Sequence, residues 1–233
     1  MQLAAENGHE KILTLLLETG AGIHDKNSRG ETALHLATRN GHENIVTSLL
    51  DNGASIHDTD KRGSTALHLA VRWRHENVAN LLLEKGANIH DKNNDGDTVL
   101  HKAARKGHQN IVKLLLDRGA NIEDNNDDGE TALHWSACWG NENVVRLLLS
   151  HGANSNEKNN KGETPLDLAR SRGRLVVEAI LERWRSVPPK SLTAQAGTSS
   201  VSPISQNHMA LVEALSEIAR NLIVPSTNLL KQK

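Results

Sequence analysis

Thirteen histidines and a single cysteine are the groups in this 233-residue chain that could hold a metal or carry a covalent intermediate. Eleven of the histidines fall in three rows at a fixed interval: His35, His68, His101 and His134; His9, His42, His75 and His108; His24, His57 and His90. Zinc needs all of its ligands within ~2.1 Å of one ion. A row with one member per structural unit is spaced by a helix–helix distance of ~9 Å, so these rows cannot converge, and no metal or other cofactor is expected. His134 and Cys138, four residues apart, are placed to meet on one helix, and a thiolate–imidazole pair is a nucleophile arrangement. No orienting third group or oxyanion site accompanies them, so the expected class is non-enzymatic. The recurring glycines do not follow a strand and open a helix, as a phosphate-binding loop requires.

The interval that arrays the histidines is 33 residues, and it governs most of the chain. Gly30, Gly63, Gly96, Gly129 and Gly162 keep it, as do Thr32, Thr65, Thr98, Thr131 and Thr164 and the leucines Leu34, Leu67, Leu100, Leu133 and Leu166. Within one unit, Thr32 suits a helix N-cap. Leu34, Ala37 and Thr38 line one side of a short helix that Gly41 ends. A second helix is predicted from about Glu43 to Asp51, with Ile45, Val46, Leu49 and Leu50 on one stripe and Gly53 just past its end. The stretch from Ile56 to Gly63 carries turn chemistry. Each unit therefore reads helix, turn, helix, projecting loop. Two helices this short cannot bury their stripes alone, but stacked neighbours can.

Composition narrows the partners. Four tryptophans are the only aromatic rings, with no phenylalanine or tyrosine, so Leu, Ile, Val and Ala must fill the core. Lys and Arg number 27 against 28 Asp and Glu, which leaves no overall field to hold the chain on nucleic acid or an anionic membrane. One cysteine excludes an intramolecular disulfide, and no apolar run approaches the ~18 residues of a membrane span. A soluble intracellular protein, cytoplasmic or nuclear, is expected.

Thr-Ala-Leu-His-Leu-Ala at 32–37 and again at 65–70, Gly41-His42-Glu43-Asn44-Ile45-Val46, Leu81-Leu82-Leu83 to Gly86-Ala87, and Thr164-Pro165-Leu166 together resemble the ankyrin repeat. The resemblance covers about residues 1–185. It implies an all-α solenoid of stacked helix-turn-helix units with hairpin-like loops, a hydrogen-bonding structural role for the His35 row, and protein binding on a concave face. The units expected are a partial first repeat (1–29), four full repeats (30–62, 63–95, 96–128, 129–161) and a C-terminal capping repeat (162–185). The first copy lacks its loop and the start of its first helix. Its open apolar face is expected to fray, the alternative being that the stack is a piece of a longer protein, the recognition segment of a larger receptor or enzyme. Arg74 stands where the other units place the helix-ending glycine, and Asp167 where they place histidine. Glu178, Glu182, Arg183 and Arg185 should give the last unit a polar outer face.

A flexible linker (186–207) and a tail (208–233) should follow, the tail holding one amphipathic helix over Met209–Val224. That helix is expected to fold back on the open end of the stack or stay half-disordered, the alternative being that it self-associates or meets a partner helix. The candidate binding residues are those that vary between copies, at the loop tips and before the helix break: Arg39, Arg72, Trp73, Asp95, Asp97, Arg105, Lys106, Asp127, Asp128, Glu130 and Trp139. They would form a basic floor, an acidic rim and two tryptophan anchors for a protein partner whose identity the sequence does not name. Trp135 replaces a framework leucine and is expected in the core, and Trp184 is expected to follow the last helix and cover its end.

Overall fold

The computed structural model describes residues 1–186. The Met209–Val224 segment and all but the first residue of the expected linker lie outside the described residues. Twelve helices occur among them, in six antiparallel pairs: α1 (Gln2–Glu6) with α2 (Glu10–Glu18), α3 (Ala33–Asn40) with α4 (Glu43–Asp51), α5 (Ala66–Arg72) with α6 (Glu76–Glu84), α7 (Val99–Lys106) with α8 (Gln109–Asp117), α9 (Ala132–Trp139) with α10 (Glu142–Ser150), and α11 (Pro165–Ser171) with α12 (Leu175–Ser186). No strand is found among the described residues.

Local chemistry sets each boundary. Thr32 is the N-cap of α3 with an extended backbone (φ −85°, ψ 173°), and Gly41 closes the helix in the left-handed region (φ 75°). The first helices stack extensively on one another along the chain, and the second helices touch more sparsely. Small residues make the first row possible: Ala37, Ala70, Ala103, Ser136 and Ala169 are fully buried where first helices meet. Leu49, Leu82, Leu115, Leu148 and Leu181, also fully buried, close the core from the second helices. One aliphatic core thus runs continuously through all six pairs, as an array of units that each depend on their neighbours requires.

Arg74 is the only non-glycine residue with positive φ (63°) among the described residues. A Cβ in that conformation costs ~1 kcal/mol or more. Arg74→Gly is accordingly expected to stabilise the stack by about 0.5–1 kcal/mol, part of the relief being offset by the freer unfolded glycine. A urea midpoint that falls or stays unchanged would contradict this.

Both ends carry uncovered apolar groups. Leu3, Ile12 and Leu15 are exposed, and α2 buries only Leu13 where the four second helices after it bury three or four residues. At the other end Arg170 bridges to Glu178 (2.9 Å) and to Glu182. That end is less polar than the sequence suggests, because Leu175 and Val176 are exposed beside these pairs. Trp184 corrects a second expectation. It lies within α12, half-buried against the core, because the helix continues through Ser186 instead of stopping short of the ring.

Candidate partner-binding face

The face is held in place by two rows of polar framework residues. In the first, His101 is buried, and its Nε2 donates to the Glu130 carbonyl of the next unit (2.9 Å). Its Nδ1 accepts from the Thr98 N–H (3.1 Å), with the Thr98 hydroxyl 2.8 Å away. His35, His68 and His134 repeat this pattern towards the carbonyls of Ser64, Asp97 and Glu163. Each ring therefore closes its own helix cap and bonds forward to the following loop. In the last described unit Asp167 takes the histidine's place at the cap, accepting from the Thr164 N–H (2.9 Å) and hydroxyl (2.7 Å). Burial lowers the pKa of all four histidines from 6.5. With both ring nitrogens of His134 engaged, no imidazole nitrogen faces Cys138, and the pair has no base to offer. No group of three or more His, Cys, Asp or Glu is placed to hold a metal ion among the described residues.

The second row was not read from the sequence. Asn27, Asp60, Asn93, Asn126 and Asn159 each accept from two backbone N–H groups of their own loop, two and four residues on, for example Asp128 (3.1 Å) and Glu130 (2.9 Å) at Asn126. This side-chain turn fixes every tip. The tips then bond one to the next: Lys61 N–H to Arg29 O, Asn94 to Arg62, Asp127 to Asp95 and Asn160 to Asp128, at 2.9–3.2 Å. Gly96 permits that approach, since a Cβ there would sit 2.6 Å from the Asp127 backbone nitrogen. The signal was an Asn or Asp three residues before each unit's glycine.

The candidate residues sort into two groups on this frame. Arg39 is half-buried and bonded to Glu31 (2.7 Å) and Glu6 (3.2 Å). Asp97 is buried, accepting from Lys102 (2.6 Å) and Asn126 (2.9 Å). Asp97 is closed to a partner and Arg39 largely so, which corrects their place as open charges of the expected groove: each is matched by an internal charge. Asp95 is exposed but lies 3.6 Å from the same Lys102. These pairs also place the tips and the first-helix residues on one face of the stack.

The remaining charged candidates form no internal ion pair among the described residues. Trp73 and Trp139 are 51% and 47% exposed. Arg72 sits over Trp73, 5.8 Å from the ring centroid. Arg105 lies over two rings at once, 4.8 Å from Trp135 and 5.1 Å from Trp139. Trp135 is only half-buried, packed against the core on one side and under Arg105 on the other, with its indole Nε1 buried and without a hydrogen-bond partner. Among the described residues, Arg72, Arg105, Lys106, Asp127, Asp128 and Glu130 form no salt bridge. Burial and the Asp128 charge raise the Glu130 pKa above 4.5, more than the charge of Lys161 lowers it.

Family models described as ankyrin repeats match this chain, one of three copies over residues 1–93 and one of many copies over residues 73–116 and 100–149. No curated protein matches it. No helix among the described residues is long and apolar enough to cross a membrane.

Proposed function

This chain belongs to the ankyrin-repeat family, whose repeats are generally protein–protein interaction modules, and on that premise we propose that it is a non-catalytic scaffold that binds a protein partner on the concave, first-helix face of the stack. The observation that carries this reading is the pair of half-exposed indoles, Trp73 and Trp139, flanked by unpaired Arg72, Arg105, Lys106, Asp127, Asp128 and Glu130. Tryptophan and arginine dominate measured interface hot spots. The frame beneath them is rigid: each tip is fixed by its own Asx turn and by a bond to its neighbour, so docking orders few groups. Asp95 joins the face as an exposed carboxylate that already shares Lys102.

The test is affinity capture by the intact chain and by the Trp73→Ala/Trp139→Ala variant, after circular dichroism shows equal helicity. Loss of two anchors is expected to cost ~2 kcal/mol or more, about a thirty-fold weakening, so proteins held by the wild type should drop out. An unchanged captured set removes both tryptophans from the site.

A further inference from the structure

Four units carry an acidic residue just after the tip glycine, Glu31, Asp97, Glu130 and Glu163, each a carboxylate half or wholly withdrawn from water. Glu163 has the Asn159 amide (3.1 Å) and no ion pair among the described residues. Glu31 is matched by Arg29 (2.8 Å) and Arg39 (2.7 Å). Asp97 is matched by Lys102 (2.6 Å). These cations stand two residues before, eight after and five after the acid. At Glu130 the equivalent positions are Asp128, Cys138 and Trp135, so none of these three cations is present and one is replaced by a like charge; Lys161 acts on Glu130 only from beyond ion-pair distance. The cations of the preceding unit do not compensate: Lys102 is held by Asp95 and Asp97, and Arg105 lies over the two indoles. The tip that joins the 96–128 and 129–161 units therefore presents Asp127, Asp128 and Glu130 with no cation within ion-pair distance among the described residues. On the first helices, Arg105 lies over Trp139 and Lys106 is exposed at the end of α7, and neither forms a salt bridge among the described residues.

We propose that this surface, from the tips at Asp127–Glu130 to the helix ends at Arg105, Lys106 and Trp139, receives a protein segment with lysine or arginine side chains along one edge and acidic side chains along the other. Charge complementarity selects that occupant. The carboxylate margin repels the phosphates of a nucleic acid or lipid surface, and the cationic margin repels a segment that is basic throughout. Near-neutral overall charge means that the local pattern, not bulk attraction, fixes the orientation. This specifies the partner class for the face proposed above and rests on that reading.

Selection of a random 15-residue peptide display library on the immobilised full chain provides the probe. Selected peptides are expected to carry both signs of charge. Fluorescence anisotropy should then show tenfold or greater weakening against the Asp127→Asn/Asp128→Asn/Glu130→Gln variant, and similar weakening for peptides whose lysines and arginines are replaced by glutamine, measured on the wild-type chain. The peptide-side substitution decides the matter if the triple variant misfolds. Selection of peptides without basic residues, selection of no binder at all, or unchanged affinity on neutralising either side overturns the inference. Weakening by Trp139→Ala with no effect of the neutralisations sinks this inference but keeps the binding face, whereas binding indifferent to every change removes both.

Discussion

Lowering the pH from about 7.5 to about 5.5 is expected to destabilise this stack more than any single substitution in it. His35, His68, His101 and His134 are buried, with pKa values lowered from 6.5 by that burial. Their Nε2 protons are committed to carbonyls of the following unit, and a backbone N–H points at each Nδ1. A second proton would meet that N–H in a dry site. The folded chain thus binds fewer protons than the unfolded one once the pH falls below the ordinary histidine value. Stability is complete above about 6.5 and is lost as the pH drops through and below it. Each such group contributes a slope of up to about 1.4 kcal/mol per pH unit, so four approach about 5 kcal/mol per unit. For a chain of this length that lowers the thermal midpoint by ~10 °C or more between those two pH values. His108, its pKa also lowered, first by burial, adds to the same slope. Glu31 extends it to lower pH: burial alone would raise its pKa, but Asn27, Arg29 and Arg39 hold the carboxyl below 4.5. Glu130 acts in the opposite sense, its protonated form being favoured on folding. A thermal midpoint that stays level from about pH 7.5 to 5.5 would mean that these rings are protonated, or solvated, in the fold.

The second large effect is expected from His101→Ala. The substitution leaves the Thr98 N–H and the Glu130 carbonyl without their partner, both inside the stack, and opens a void the size of an imidazole ring. Orphaned buried groups cost ~1–3 kcal/mol each and the void adds to this, so a loss of about 3 kcal/mol is expected in urea unfolding. The damage falls at the joint between the third and fourth full-length loops. An array held by nearest-neighbour contacts should then unfold in two steps where the wild type unfolds in one. His134→Ala, nearer the end, should separate a smaller block. A loss under ~0.5 kcal/mol, within the range of a surface change, would show that the ring is not the staple between units.

The repeat carried most of this architecture into the sequence. Because each 33-residue unit uses the same cap, the same helix stop and the same apolar stripe, helix α4 could be placed over Glu43–Asp51 from its residues alone, and the structure has it there. For the same reason the spacing of the His35 row argues against a metal cluster, while its structural hydrogen-bonding role is what the ankyrin resemblance implies. What escaped was set by side-chain contacts that the repeat does not dictate. Asp97 reads as a charged rim residue, yet it is buried because Lys102, five residues on, and Asn126, 29 residues on, both reach its carboxylate. Arg39 reads as an open base until Glu6, 33 residues earlier, is seen beside it. The stacking of Arg105 over Trp135 and Trp139 likewise joins two units. Trp184 was misplaced for a local reason, since nothing before Val187 stops α12. The exposure of Trp73 and Trp139 was foreseeable, because no neighbouring copy keeps an apolar residue at their position.

Site-specific photo-crosslinking in cells tests the binding face most directly. The full chain would carry a photoreactive residue in place of Lys106, at the end of first helix α7, or in place of Lys113, exposed on second helix α8. Covalent adducts to protein from position 106, abolished by Trp73→Ala/Trp139→Ala and absent from position 113, are the expected result. Adducts from position 113 alone, or adducts from 106 that survive the loss of both tryptophans, would place the partner elsewhere on the stack.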